Sequence, residues 1–153
     1  MRLAVSNKEE GTQLFKDGNL QPAVARWLRA LEHATKFVDL VPEDQPEVDA
    51  LRLSLHLNIC MAQLRLGGEE SLRRAVASAT EALAIDAANA KGLFRRASAL
   101  VALKDFAPAR VDLDAALAAE PEDGAVQSLS RTVDAALQEQ DKRAKAVYSK
   151  MFS

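Results

Sequence analysis

Residues Ala97–Pro121, ASALVALKDFAPARVDLDAALAAEP, carry the pattern that decides the fold. Phe106, Ala109, Leu113 and Ala116 follow one another at spacings of three, four and three, so all four lie on one face of a helix. Lys104-Asp105 marks a turn before that helix, and Pro121 stops it. The same spacing recurs at Leu20, Ala23, Trp27 and Ala30, and again at Leu72, Ala75, Ala79 and Ala82. Small residues at matching places let a neighbouring helix come close, and the large ones fill the space between.

Each of these helices follows another amphipathic segment, about Leu3–Asp17, Pro46–Leu66 and Asn89–Leu103. Turn signals separate the partners at Asp17-Gly18-Asn19, Gly67-Gly68 and Lys104-Asp105. The chain therefore reads as three helix–turn–helix pairs. Ala75 and Ala109 lie 34 residues apart, the tetratricopeptide (TPR) period. Gly11, Ala23, Trp27 and Ala30 carry that signature in the first repeat. Ala97, Ala109, Leu113, Ala116 and Pro121 carry it in the third. The second repeat is looser, with Cys60 at the small position. The expected fold is all-α: three TPR repeats and a C-terminal capping helix, in a right-handed superhelix. The repeats fall at about 4–37, 47–87 and 89–121 within 1–121, and the final helix at 122–153. Two insertions are expected in connections. One is a long loop within Lys36–Val48, joining lengthened helices; the other is about three extra turn residues around Gly67–Ser71.

After Pro121, Val126, Leu129, Val133 and Leu137 form one apolar stripe, suited to covering the last open face of a repeat array. The end of that helix, from Gln138 to Lys150, is highly charged. Its cations suit calmodulin or an acidic partner, but Glu139 and Asp141 dilute them, and a solvated helix is the simpler reading.

Bulk properties narrow the function. With 48% apolar, 27% charged and only 5% aromatic residues, the chain has the composition of a soluble helical domain. A net charge of −2 gives no global attraction to nucleic acid or anionic membrane. No run reaches the roughly 18 apolar residues of a membrane span. The single Cys60 forms no internal disulfide, which fits a reducing, cytoplasmic setting. No catalytic constellation stands out. His33 and His56 lack metal-ligand partners at the spacings such sites use. Cys60 reads as core packing, and Gly67-Gly68 lacks the spacing of a phosphate loop. No enzyme, metal or cofactor is expected.

One polar set rises above this background. The first helix of each stacked pair lines the concave groove. Lys8 lies on the first of these inner helices, Asn58 on the second, and Lys91 and Arg95 on the third, four residues apart on one face. Three cations and one amide then converge from three repeats. That set suits two carboxylates held close together, such as a chain terminus and a terminal aspartate side chain. Surface cations are usually solvated decoration; here it is their matching repeat positions that suggest binding.

Lys8-Glu9-Glu10-Gly11-Thr12, Leu57-Asn58-Ile59 and Lys91-Gly92-Leu93-Phe94-Arg95-Arg96-Ala97 resemble the inner helices of chaperone-binding TPR domains. With the ending Lys145-Ala146-Val147-Tyr148-Ser149-Lys150-Met151-Phe152, nearly the whole chain resembles the C-terminal half of the large immunophilins. These are the forty-kilodalton cyclophilins and the multidomain FK506-binding proteins. The resemblance implies a co-chaperone that binds the acidic Met-Glu-Glu-Val-Asp tail of Hsp90 through a two-carboxylate clamp. The clamp positions here are Lys8, Thr12, Asn58, Lys91 and Arg95, and Thr12 stands where many members have asparagine. Phe15 and Met61 fall where the ligand's apolar side chain would pack, though core packing explains them equally. Three alternatives stay open: an Hsp70 tail or both tails, the non-catalytic half of a peptidyl-prolyl isomerase, and a groove that accepts a helix of a second copy.

Overall fold

A computed structural model describes residues 1–38 and 42–153. Seven α-helices follow one another: α1 (Arg2–Lys16), α2 (Leu20–Val38), α3 (Gln45–Leu66), α4 (Glu69–Ile85), α5 (Ala90–Ala102), α6 (Phe106–Ala119) and α7 (Gly124–Met151). A single 3-10 turn, Pro42–Asp44, precedes α3. No strand occurs among the described residues. α1 packs on α2, α3 on α4 and α5 on α6. The pairs then stack through α2–α3, α4–α5 and α3–α5, and α7 closes the array against α6 and α5. The architecture is an α-α superhelix of TPR type.

The small–large pattern is what holds the pairs together. Ala23, Ala30, Ala75, Ala79, Ala82 and Ala109 are all fully buried, with Trp27 and Leu113 wedged among them. Leu20, Leu72 and Phe106, which open the three outer-helix quartets, are half-buried. On α7, Val126 and Val133 are buried and Leu129 and Leu137 pack beside them, so this stripe covers the third repeat. From Gln138 onward α7 is exposed.

The turns of the first and third repeats share one geometry. Asn19 N–H reaches the Leu14 carbonyl at 2.8 Å, and Asp105 N–H reaches the Leu100 carbonyl at 2.8 Å. Both turns need a left-handed residue before that amide. Gly18 supplies it at φ 83°, whereas Lys104 adopts φ 61° with a side chain in place.

The insertions expected in connections lie mostly within helices. α2 runs for 19 residues and α3 for 22, so the first excess lengthens these two helices. Part of the expected long loop, residues 39–41, lies outside the described residues. The second turn is only Gly67-Gly68, and the extra residues form the first turn of α4. Glu69 and Glu70 favour that outcome. They sit at the positive end of the helix dipole and pair with Arg73 and Arg74 one turn on.

Gly11 sets the closest approach. A Cβ there would lie 2.6 Å from Trp27 Nε1 and 3.1 Å from the Ala23 carbonyl oxygen. Gly11→Ala should therefore destabilise the domain, because overpacking of about 1–3 kcal/mol exceeds the helix-propensity gain of about 1 kcal/mol. A denaturant midpoint that stays put or rises would show that α1 can move away without loss.

Candidate peptide-binding groove

On α1, the backbone around Lys8 is held in place. The Lys8 carbonyl accepts the Thr12 hydroxyl at 2.8 Å and the buried Trp27 indole N–H at 3.2 Å. Arg26 of α2 adds an ion pair to Glu10 at 3.2 Å and a bond to Asn7 at 3.5 Å. Lys8 and Thr12 line a depression of about 370 Å³ between α1 and Leu51 of α3, with Lys16 beside them.

Asn58, Lys91 and Arg95 line a second depression, of about 260 Å³, together with Ser54 and Leu57. Ala50 of α3 belongs to this one and its neighbour Leu51 to the first, so α3 forms the wall between them. Of the expected groups, Asn58, Lys91 and Arg95 thus share one hollow, and Lys8 lies in the other. Thr12 lies in the hollow of Lys8, but its hydroxyl hydrogen is already committed to the Lys8 carbonyl. It can accept a bond from a ligand, and it lacks the free donor that an asparagine amide would offer.

The charge balance is one-sided. The ion pairs of the described residues leave out Lys8, Lys91 and Arg95. Lys91 is exposed, at the second position of α5, where backbone N–H groups also favour an anion. The Asn89 side chain caps this helix by accepting the Gly92 N–H at 2.9 Å. Arg95 is half-buried, and burial pushes its pKa below the ordinary arginine value. It donates from Nη1 to the Leu57 carbonyl at 2.8 Å and has no carboxylate. A partly desolvated cation held this way gains most from an anionic ligand.

The two apolar positions differ. Phe15 packs against Trp27, with ring centroids 5.6 Å apart, and the Arg65 guanidinium lies 4.4 Å above its ring. Phe15 is thus partly a core residue. Met61 is half-buried, belongs to none of the apolar clusters, and follows Asn58 by three residues, which puts the two near one face of α3.

The remaining polar groups are structural. Cys60 is fully buried among Ala75, Ala79 and Ala99, and burial pushes its thiol up to about 11, far from a reactive thiolate. Burial lowers the pKa of His56, with Glu81 and Arg52 nearby. No group of three potential metal ligands occurs among the described residues. No helix there is long and apolar enough to cross a membrane. Sequence reasoning missed the pair Arg96–Asp112, which joins α5 to α6 through two bonds of 2.8 and 2.7 Å. Arg96 stands beside Arg95 in the motif, and only the fold separates a core cation from a groove cation.

Stacked helix–turn–helix pairs on this period define a tetratricopeptide-repeat domain. No protein-family profile matches the chain. It is 34% identical over 148 residues to the peptidyl-prolyl cis-trans isomerase FKBP4 of Bos taurus, which covers 95% of the chain and 31% of that protein. It is 34% identical over 152 residues to peptidyl-prolyl cis-trans isomerase D of Kluyveromyces lactis, covering 95% and 40%. The chain thus spans well under half the length of these relatives. Among solved structures, the C-terminal TPR-containing domain of a Plasmodium falciparum FK506-binding protein matches with a TM-score of 0.83 at 20% identity, over 92% of each chain. The first TPR of Spaghetti (RPAP3), bound to the HSP90 peptide SRMEEVD, matches at 0.70 and 23%, over 90% and 94%. The second TPR domain of human RPAP3, with the HSP70 peptide SGPTIEEVD, matches at 0.69 and 22%, over 87% and 96%. The chain has the TPR fold, and in sequence it is similar to part of these peptidyl-prolyl isomerases. Its helices are all repeat or capping helices, and the isomerase domain is not part of this chain.

Proposed function

We propose that this domain is a co-chaperone adaptor whose inner groove binds the acidic C-terminal tail of Hsp90. The observation that carries the reading is Arg95, half-buried without a carboxylate and sharing one hollow with Lys91 and Asn58. In this reading Lys91 and Arg95 hold one carboxylate of the terminal aspartate, and Lys8 and Asn58 hold the other. Thr12 accepts a backbone N–H, while Met61 and the edge of Phe15 meet an apolar side chain upstream. The binding unit is the three repeats over 1–121, with 122–153 as the cap, acting in the cytoplasm. Binding of an HSP70 peptide by one structural neighbour supports a second reading, in which the same clamp takes either tail. The distal cations of α7 are no calmodulin site in this reading. Arg143 and Lys145 already pair with Glu139 and Asp141 along their own helix.

Titration with the pentapeptide MEEVD, as free acid and as C-terminal amide, tests the proposal. The amide should bind roughly 10- to 100-fold more weakly, since hydrogen bonds to charged groups contribute about 1.5–3 kcal/mol. Affinity for the free acid should also fall as salt rises, because exposed cations facing an acidic peptide are screened. Equal binding of acid and amide would remove the clamp. Running the HSP70-type peptide beside it separates the two readings.

A further inference from the structure

The outward face of α6 differs from those of α2 and α4. Ala107, Pro108, Val111, Ala115, Ala118 and Ala119 are all exposed and fall within about a third of the helix circumference. Val111 is 68% exposed. With Ala109 aligned on Ala75 and Ala23, the corresponding positions of α4 carry Arg73, Arg74 and Glu81. Those of α2 carry Gln21, Arg29 and Glu32, and all six of these polar residues are exposed. The charged residues of α6 are engaged elsewhere. Asp112 pairs with Arg96, and Arg110 pairs with Asp114 and with Asp134 of α7. On its α4 side the face runs into a depression of about 340 Å³ with Val76, Leu100, Pro108 and Val111 in its walls. A helix apolar on every side belongs in a core, yet α6 is covered on one side only.

We infer that the outer face of α6 is a self-association surface, on which α6 of a second copy lies antiparallel about a two-fold axis. An isologous contact must be complementary to itself, and this patch is. With the axis close to Asp112 and Leu113, Ala107 opposes Ala118 of the second copy. Val111 then enters the space left by the small side chains of Ala115 and Ala118 of the second copy, and small residues at these places let the helices approach to about 8 Å. Charge selects the second copy as occupant. Arg110 and Asp114 stand one turn apart on one flank of the face, with opposite signs and partly exposed side chains. Antiparallel pairing sets each Arg110 against Asp114 of the second copy, so both contacts across the axis are attractive. Antiparallel helices also bring opposite ends of their dipoles together. The inner grooves stay open in this arrangement, and the assembly presents two of them.

Sedimentation equilibrium of the whole chain tests the inference. One 14-residue helix offers a patch of about 20 Å by 10 Å, well below the roughly 800 Å² per partner of a standard interface. The dimer is therefore weak, and the weight-average mass should rise from one chain toward two at about 0.1–1 mM. Each substitution counts twice across the axis. Val111→Glu should weaken association roughly 30- to 100-fold, and Asp114→Arg roughly tenfold. Both sites are exposed, so both variants should melt like the parent and bind the MEEVD free acid as the parent does. Arg110→Glu should also self-associate poorly. An equal mixture of Asp114→Arg and Arg110→Glu chains should dimerise as well as the parent, because every contact is again between opposite signs. A parent that stays monomeric at about 1 mM overturns the inference. Association that survives Val111→Glu overturns it too, and its loss in Val147→Glu would then place the contact on the exposed end of α7. A mixture no better than its components overturns the antiparallel pairing. Failure of the parent to bind MEEVD bears on the clamp alone.

Discussion

Arg96→Ala should lower the melting temperature by roughly 6–12 °C, the equivalent of about 3 kcal/mol in a domain of this size. Asp112 is only 3% exposed, and both its carboxylate oxygens accept from Arg96. A third bond, from Arg96 Nη1 to the Thr80 hydroxyl at 3.2 Å, brings in α4. One guanidinium thus ties three helices of two repeats. Removing it strands a carboxylate beside Ala109, Leu113 and Ala116. The low end of the usual cost applies, because the Arg96 side chain keeps 25% exposure and water can reach part of the site. Arg96→Lys should recover only part of the loss, since an ammonium cannot fork across two oxygens. Replacing both partners, Arg96→Met with Asp112→Leu, should restore most of it, because no buried charge is then left unmatched. Thermal melts of the four proteins check this. Parent-like melting of Arg96→Ala would mean that Asp112 is solvated once alone.

Lys91→Ala should weaken binding of the free-acid tail by roughly 10- to 100-fold while leaving stability within about 0.5 kcal/mol. Lys91 is exposed and outside every ion pair of the described residues, so the fold gains nothing from its charge. Its neighbour one turn on behaves differently. Arg95 also fastens α5 to the α3 backbone at Leu57, so Arg95→Ala should lose comparable affinity and, in addition, about 1 kcal/mol of stability. Peptide titration and denaturant unfolding on both variants separate the two roles. Arg74→Ala serves as the control, lying on α4 in a surface pair with Glu70. If Lys91→Ala binds the free acid as tightly as the parent, the clamp assignment fails.

The repeat architecture was legible because its signal is periodic. Trp27, Leu113 and the alanines of the outer helices are buried at the spacings that announce them. The proposed groove positions rest on the corresponding places that inner helices occupy in each repeat. The second insertion could not be assigned, since Glu69 and Glu70 read equally as turn residues until their i,i+4 partners are seen. Nor could the contrast between Arg95 and Arg96. Asp112 lies sixteen residues from Arg96, and no local spacing links them. The commitment of the Thr12 hydroxyl to its own helix depends on a rotamer, which composition does not encode.

Trp27 is the only tryptophan of the chain, and it sits beneath the first inner helix, bonded to the Lys8 carbonyl. Its fluorescence therefore reports on one end of the array, while Arg96 and Asp112 lie toward the other. Far-ultraviolet circular dichroism sees all seven helices at once. In a molecule built of neighbour-to-neighbour contacts, the two signals need not change together. In the Arg96→Ala protein, coincident transitions would mean that the repeats unfold as a single cooperative unit. A dichroism signal that falls while the indole emission holds would mean that the array opens from its C-terminal end and leaves the first repeat standing.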